Sequence, residues 1–359
     1  MRPDEVGALV AAVQTNCDIA DASHATDLSL CIYLLQMREL YRWDQRLPYG
    51  AELDRSAVGA WLAGREAQWS RLEGSACVAL PIDGREFDPL DVQGVNTALA
   101  PHGLIYGAGL AAAQRPTYFL AELEHQGPRD DGLWLAVCGR EYARGLSAPA
   151  AALAGGTTIL LRRESLARWL WEKFEAFSLR RADGPMKALL DAYGLHGRDD
   201  FVAALPRLAD DLADVLVLHE VGEHRAGQWL GPGWAAMRLA LDERRTDLLV
   251  RAVRDHLADL EVTLPTLVRD ERPAALHFWF ANYEGVREQL FPTLTDAYRA
   301  WRRGDGSRPL LDAAAFGARH FRSLAEQLLS LHERLGPRAG PQIERLLAAP
   351  QAVCPGQAW

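Results

Sequence analysis

Two histidines and two glutamates, His219, Glu220, Glu223 and His224, fall within six positions of the otherwise apolar run VLVLHEVGEHRAGQWL at 215–230. At about 3.6 residues per helical turn, His219 stands over Glu223 and Glu220 stands over His224, on adjacent stripes of one helix. A stacked imidazole and carboxylate can share a metal ion or pass a proton. The zincin pattern H-E-x-x-H needs its second histidine where Glu223 stands, so His224 comes one residue late. The inverted pattern H-x-x-E-H also misses by one residue. What remains is H-E-x-x-E, with His219 and Glu223 as ligands, Glu220 as base, and His224 as a further nitrogen. Di-metal bundles use Glu-x-x-His, three apart, whereas Glu220 and His224 are four apart. The plain alternative is a solvated stripe of i,i+4 pairs worth about 0.2–0.5 kcal/mol each. Against it, Leu208, Leu212, Val215, Leu216, Leu218, Val221, Trp229 and Leu230 make the helix apolar on more than one side. Such a helix is buried, and buried charges need partners.

Ligands from other elements must reach the same level. If the helix ending near Trp229 and the one starting near Asp242 are antiparallel, His219 lies ~15 Å above the turn and His256 ~21 Å, heights that can meet. The next helix descends from Pro273 with His277 near its top and Glu284 two turns lower on the same face. His219, Glu220, Glu223, His256, Asp259, His277 and Glu284 are therefore candidates to converge. Such a set suits a divalent metal, iron, zinc or manganese, and two metals would allow oxygen activation or hydrolysis. The competing account of His256 and His277 is the common one, an isolated histidine packed in a helix core; His320 and His332 are weaker candidates.

The fold class expected is mainly α with a small inserted β-sheet (α+β), the C-terminal half being an all-helical bundle. Residues 1–75 read as helical. Ser23 or Asp27 caps a helix through LSLCIYLLQMRELYRWD, with Leu30, Tyr33, Leu34, Met37 and Tyr41 as its apolar stripe. Cys17, Asp18, Asp21 and His24, with Glu39 and Asp44 beyond, could present carboxylates, although capping explains Asp18 and Asp21 more simply. A third helix covers 55–72. Residues 76–162 form a small α+β subdomain of short strand-like runs in a mostly antiparallel sheet. Within it, one helix is capped by Asp88, has Pro89 at its first position and ends near Gly103. The pair Gly107 and Gly109 reads as turn or strand-end glycines rather than a phosphate loop. Glu141 and Arg144 either project polar groups from the sheet's end or form a structural salt bridge. Residues 163–350 are the bundle, with helices over 162–177, 185–195, 199–230, 242–264, 273–302 and 310–335. Residues 351–359 are a mobile tail.

A chain of 359 residues has room for on the order of two or three folding units. The net charge of −9 and the lack of a concentrated basic patch interleaved with aromatics argue against nucleic acid. Five scattered cysteines without C-x-x-C spacing argue against a disulfide framework or zinc knuckle. No leader-like N-terminus or long uncharged apolar run is visible, so a cytoplasmic protein with no membrane span is expected.

The segments NCDIADA, LSLCIYLLQMRELYRWD, GLIYGAG, RPTYFLAELE, GREYARGLSAPA, RRESLARWLWEKFEAF and LHEVGEHRAGQWLG together resemble a family of uncharacterised bacterial proteins, the Sfum-type hypothetical proteins. The resemblance spans nearly the whole chain. It implies one inherited unit in a bacterial, intracellular setting, and no assigned activity or catalytic residue. The leading expectation is an enzyme of unknown small-molecule substrate with a His/Glu helical site, metal-dependent and hydrolytic or oxidative. The alternative is a non-catalytic interaction or scaffold protein in which the same cluster is a polar network fixing helix register.

Overall fold

The computed structural model describes residues 1–25, 28–110, 116–146, 149–241 and 243–355. The chain is mainly helical with a small sheet, and divides into two compact units. The first is Met1–Glu172 with Gly197–Ala209, the second Lys173–His196 with Asp210–Trp359.

In the first unit, α1 (Pro3–His24), α2 (Leu30–Asp44) and α3 (Arg55–Leu72) precede a hairpin of β1 (Leu80–Ile82) and β2 (Arg85–Phe87), then α4 (Val92–Leu99). Five strands follow: β3 (Leu104–Leu110), β4 (Pro116–Pro128), β5 (Trp134–Arg144), β6 (Ala151–Ala154) and β7 (Thr158–Arg162). Their order is β3-β4-β5-β7-β6, antiparallel except for the β5–β7 pair. That pair is parallel because β6 takes the edge and turns back, leaving β7 beside β5. Leu9, Val13, Cys17 and Ala20 of α1 pack on Leu104, Tyr106, Tyr118 and Leu120 of the sheet. Full burial of such side chains contributes about 1.5–3 kcal/mol each, and α1 shares this core with the sheet, while Met37, Leu40 and Trp69 of α2 and α3 form a second cluster with Leu146.

Several local expectations change. Helix α1 runs through Asp18 and Asp21, so neither is a cap. Asp18 is 1% exposed and receives Arg65 Nη1 at 2.9 Å, Gln68 Nε2 at 2.9 Å and Trp69 Nε1 at 3.3 Å, while Asp21 accepts the Leu146 amide. Ser29 caps α2 rather than Ser23, and Asp27 lies outside the described residues. Leu30 and Leu34 are exposed, because it is Met37 and Leu40, in the later turns, that meet Trp69 and Leu146. Asp91, not Asp88, caps α4, and Gly103 stops the following 3-10 turn in the left-handed region that glycine tolerates.

The second unit is helical. It holds the end of α5 (Arg163–Arg180), α6 (Pro185–Ala192), α7 (Arg198–Leu230) from residue 210, α8 (Pro232–Leu239), α9 (Arg244–Ala258) and α10 (Leu264–Arg269). After these come α11 (Pro273–Ala281), α12 (Val286–Leu290), α13 (Leu294–Arg302), α14 (Arg308–Leu335) and α15 (Gly340–Ala348). The single helix expected over 273–302 is three, broken at Gly285, whose φ is 66°, and before Pro292. The helix expected to stop at 264 instead passes through a π turn, Asp259–Thr263, into α10. Pro265 explains the widening: it has no N–H to return to the preceding turn, so the ladder relaxes where that bond is missing. Among the described residues no helix is long and apolar enough to cross a membrane. The five cysteines are unpaired.

Candidate functional site: a His/carboxylate cluster between α7 and α9

Helices α7 and α9 come unusually close at Gly222, where an added Cβ would lie 2.4 Å from the Ala258 carbonyl oxygen. That approach sets two i,i+4 pairs opposite each other: His219 and Glu223 on α7, and the acidic pair Asp255 and Asp259 on the α9 side. His219 Nδ1 is 2.9 Å from Asp259 Oδ1, and its Nε2 is 3.7 Å from Glu223 Oε1. One donor atom each from His219, Glu223 and Asp255 lies within 4.8 Å of the others. Arg254 Nη2 contacts Glu223 Oε1 at 2.5 Å and Arg287 Nη2 contacts Asp259 Oδ2 at 2.5 Å. Arg287 is itself held over the Trp279 and Tyr283 rings. The His219 side chain keeps 27% of its surface exposed, so the cluster is reachable from solvent.

The charges are unevenly compensated. Burial opposes a charge on His219, yet Asp259, then Glu223 and Asp255, raise it to about 10. Asp259 is held well below the carboxylate range against its burial, by His219 and Arg287. Glu223 is also lowered, since Arg254 and His219 outweigh its burial. Glu220 is different: it is 7% exposed, and burial with the neighbouring Glu223 charge pushes it up to about 7. Asp255 is raised for the same two reasons. Four carboxylates therefore share two arginines and one imidazole, and two of the four favour a proton or another cation.

The other sequence candidates lie apart from this set. His256 points into aromatic packing, stacked on Phe321 at 4.0 Å, with Nδ1 2.7 Å from the Ala252 carbonyl and Nε2 3.2 Å from Tyr283 Oη. Burial lowers it to about 3, so it is a neutral core histidine. His277 Nδ1 is 2.8 Å from Tyr298 Oη, and its ring lies against Trp301. His224 lies beside Gln228 one turn on, at 2.9 Å, rather than completing a pair with Glu220. Glu284 is exposed and pairs with Lys173, and His320 Nε2 reaches the Ala352 carbonyl at 3.1 Å. Sequence reasoning missed Asp255. The signal was present in D-H-L-A-D at 255–259, whose acidic i,i+4 spacing mirrors His219/Glu223, but the histidine inside it drew the assignment.

Residues 8–162 and 167–350 match the sequence profiles of the N-terminal and C-terminal domains of the Family of unknown function (DUF6866). The chain belongs to that family. The cluster from His219 to Asp259 falls wholly inside the DUF6866 C-terminal domain. None of the curated proteins or solved structures compared with the chain matched it.

Proposed function

We propose that the C-terminal unit is a divalent-metal centre of hydrolytic type. His219, Glu223 and Asp255 are the ligands, Asp259 orients His219, and Glu220 is the base. One observation carries the reading: three donor groups lie within 4.8 Å of one another while the second ring nitrogen of the histidine is held by a further carboxylate. A carboxylate behind a metal-binding imidazole fixes its orientation and raises its basicity. Three protein ligands leave positions for water and substrate, the mark of catalytic rather than structural sites. One nitrogen with two carboxylates suits manganese, iron or zinc. A divalent ion held there lowers the pKa of bound water towards neutrality. The protein's own part is to hold the ligands, keep Glu220 buried beside them to take the proton, and withdraw Arg254 from Glu223 on binding. The substrate belongs to the class of small polar molecules, and the setting to a bacterial cytoplasm, as the resemblance to the Sfum-type proteins implies.

A specific observation favours a second reading, a non-catalytic scaffold in which the cluster is a structural network. Arg254 and Arg287 already neutralise Glu223 and Asp259 at short range. Elemental mass spectrometry of protein purified without chelators or metal columns separates the two. The metal reading expects near-stoichiometric manganese, iron or zinc, lost in His219→Ala and Asp255→Asn and retained in Glu220→Gln. If wild type holds no metal and binds none on titration with Mn²⁺, Fe²⁺ or Zn²⁺, the scaffold reading takes its place.

A further inference from the structure

The first unit contains a cavity of about 530 Å³, lined by the ends of α2 and β5, the start of α5 and the 46–49 segment. The volume is within the range of small-molecule sites, roughly 300–1,000 Å³. Five arginines line it: Arg42, Arg46, Arg140, Arg144 and Arg168. The carboxylates on the same wall are already engaged. Glu39 accepts from Arg42 Nε at 3.1 Å and Arg38 Nε at 2.9 Å. Glu141 accepts from Arg162 Nε at 3.1 Å, Arg162 Nη2 at 2.8 Å and Ser165 Oγ at 2.6 Å. Asp44 accepts from Trp61 Nε1 at 2.8 Å, and Glu164 from the Glu141 amide at 2.9 Å.

Arg144 is held more loosely than these carboxylates. It is 1% exposed, its guanidinium lies over the Trp43 ring with Cζ 5.1 Å from the centroid, and its Nη1 is 3.8 Å from Glu141 Oε2. Its Nε and Nη2, the two nitrogens that form the side-on edge of a guanidinium, are buried with no hydrogen-bond partner among the described residues. That edge is the one that takes a carboxylate or phosphate bidentately. Leaving charged donors buried and unmade is costly, on the order of 1–3 kcal/mol or more per group. Arg46 and Arg140 are exposed among the lining residues and add positive potential to that wall.

We infer that this cavity binds a small organic anion, whose carboxylate or phosphate is taken bidentately by the Nε/Nη2 edge of Arg144, with Arg46 and Arg140 contributing electrostatic attraction. The inference does not depend on the metal centre. The state of Arg144 agrees with it: burial and the nearby Arg168 charge lower its pKa to about 10, a cost that an anion would relieve.

The test uses the full chain at constant ionic strength, set with chloride. Inorganic phosphate and benzoate are titrated separately, following tryptophan fluorescence and the thermal midpoint. At least one probe should bind saturably and raise the midpoint. Phosphate alone identifies a phosphoryl ligand, and benzoate alone a carboxylate ligand. Arg144→Lys should weaken binding at least tenfold and Arg144→Gln should abolish it, while His219→Ala leaves it unchanged. Should the Arg144 variants fail to fold, Arg140→Ala, at an exposed position, decides, with an expected several-fold loss of affinity. No saturable binding of either probe, or unchanged affinity in the folded Arg144 variants or, failing those, in Arg140→Ala, overturns the assignment.

Discussion

Gly222 of α7 and Ala258 of α9 approach so closely that no larger residue fits between them: a Cβ on Gly222 would sit 2.4 Å from the Ala258 carbonyl oxygen and 2.8 Å from its Cα. Both obstacles are backbone and cannot swing aside. Gly222→Ala should therefore push the helices apart, costing about 1–3 kcal/mol as overpacking does. The partner experiment is Gly227→Ala, one turn on, where nothing lies within 4 Å of the added carbon. That change should stabilise by about 0.5–1 kcal/mol, the ordinary gain of alanine in a helix. Urea unfolding of both variants checks the pair, and equal effects would refute the close-approach argument.

Asp259 touches the cluster through the His219 ring nitrogen and Arg287. Asp259→Asn keeps the shape and removes the charge that orients and polarises the imidazole. Metal affinity should fall about 10–100-fold rather than vanish, whereas His219→Ala removes a ligand outright. Competition titration with a metal-sensitive dye measures both, with circular dichroism to confirm that each variant is folded. Asp259→Asn with wild-type affinity would remove Asp259 from the centre.

His277 gives the fold a pH dependence. Burial, with Arg302 nearby and Asp191 opposing, lowers it from 6.5 to about 4, while Tyr298 and Trp301 enclose its ring. The folded state thus keeps His277 neutral where an unfolded chain protonates it. Its contribution is complete above pH 6.5 and is lost as the pH falls from 6.5 to about 4, by at most about 1.4 kcal/mol per unit. Partial enclosure makes the true slope smaller. Urea midpoints at pH 7, 6, 5 and 4 should decline more steeply for wild type than for His277→Gln; parallel declines would mean that His277 is not the group titrating.

Asp18 is an ionic tie inside the first unit, receiving Arg65, Gln68 and Trp69 of α3. Removing one partner of a buried pair leaves the other uncompensated, so Asp18→Ala should cost about 3–5 kcal/mol. Arg65→Ala should cost less, its side chain being partly exposed, and the double variant should cost less than the sum. Chemical denaturation of the three variants tests the coupling, and strict additivity would argue against it.

Hydrophobic period and helix punctuation were enough to identify the helices around 55–72 and 198–230, the small sheet, and the segment His219–Glu223 as the place where polar groups are forced into an apolar helix. These are local properties: a side chain three or four residues along a helix lies on the same face whatever surrounds it. The breaks at Gly285 and Pro292 were likewise written in residues whose backbone preferences are local, although the period ran across them. Which distant groups meet was decided only by packing. His256 and Asp255 are adjacent in sequence, yet one turns to Phe321 and the other to Glu223, because neighbouring positions on a helix face about 100° apart and only the neighbouring elements say which face is which. The same holds for Arg144, whose sequence neighbour Glu141 suggested a salt bridge. In the fold that pair forms at 3.8 Å, but Arg162 holds the carboxylate more closely, and the Nε/Nη2 edge of Arg144 has no hydrogen-bond partner among the described residues, beside a cavity that no linear pattern records.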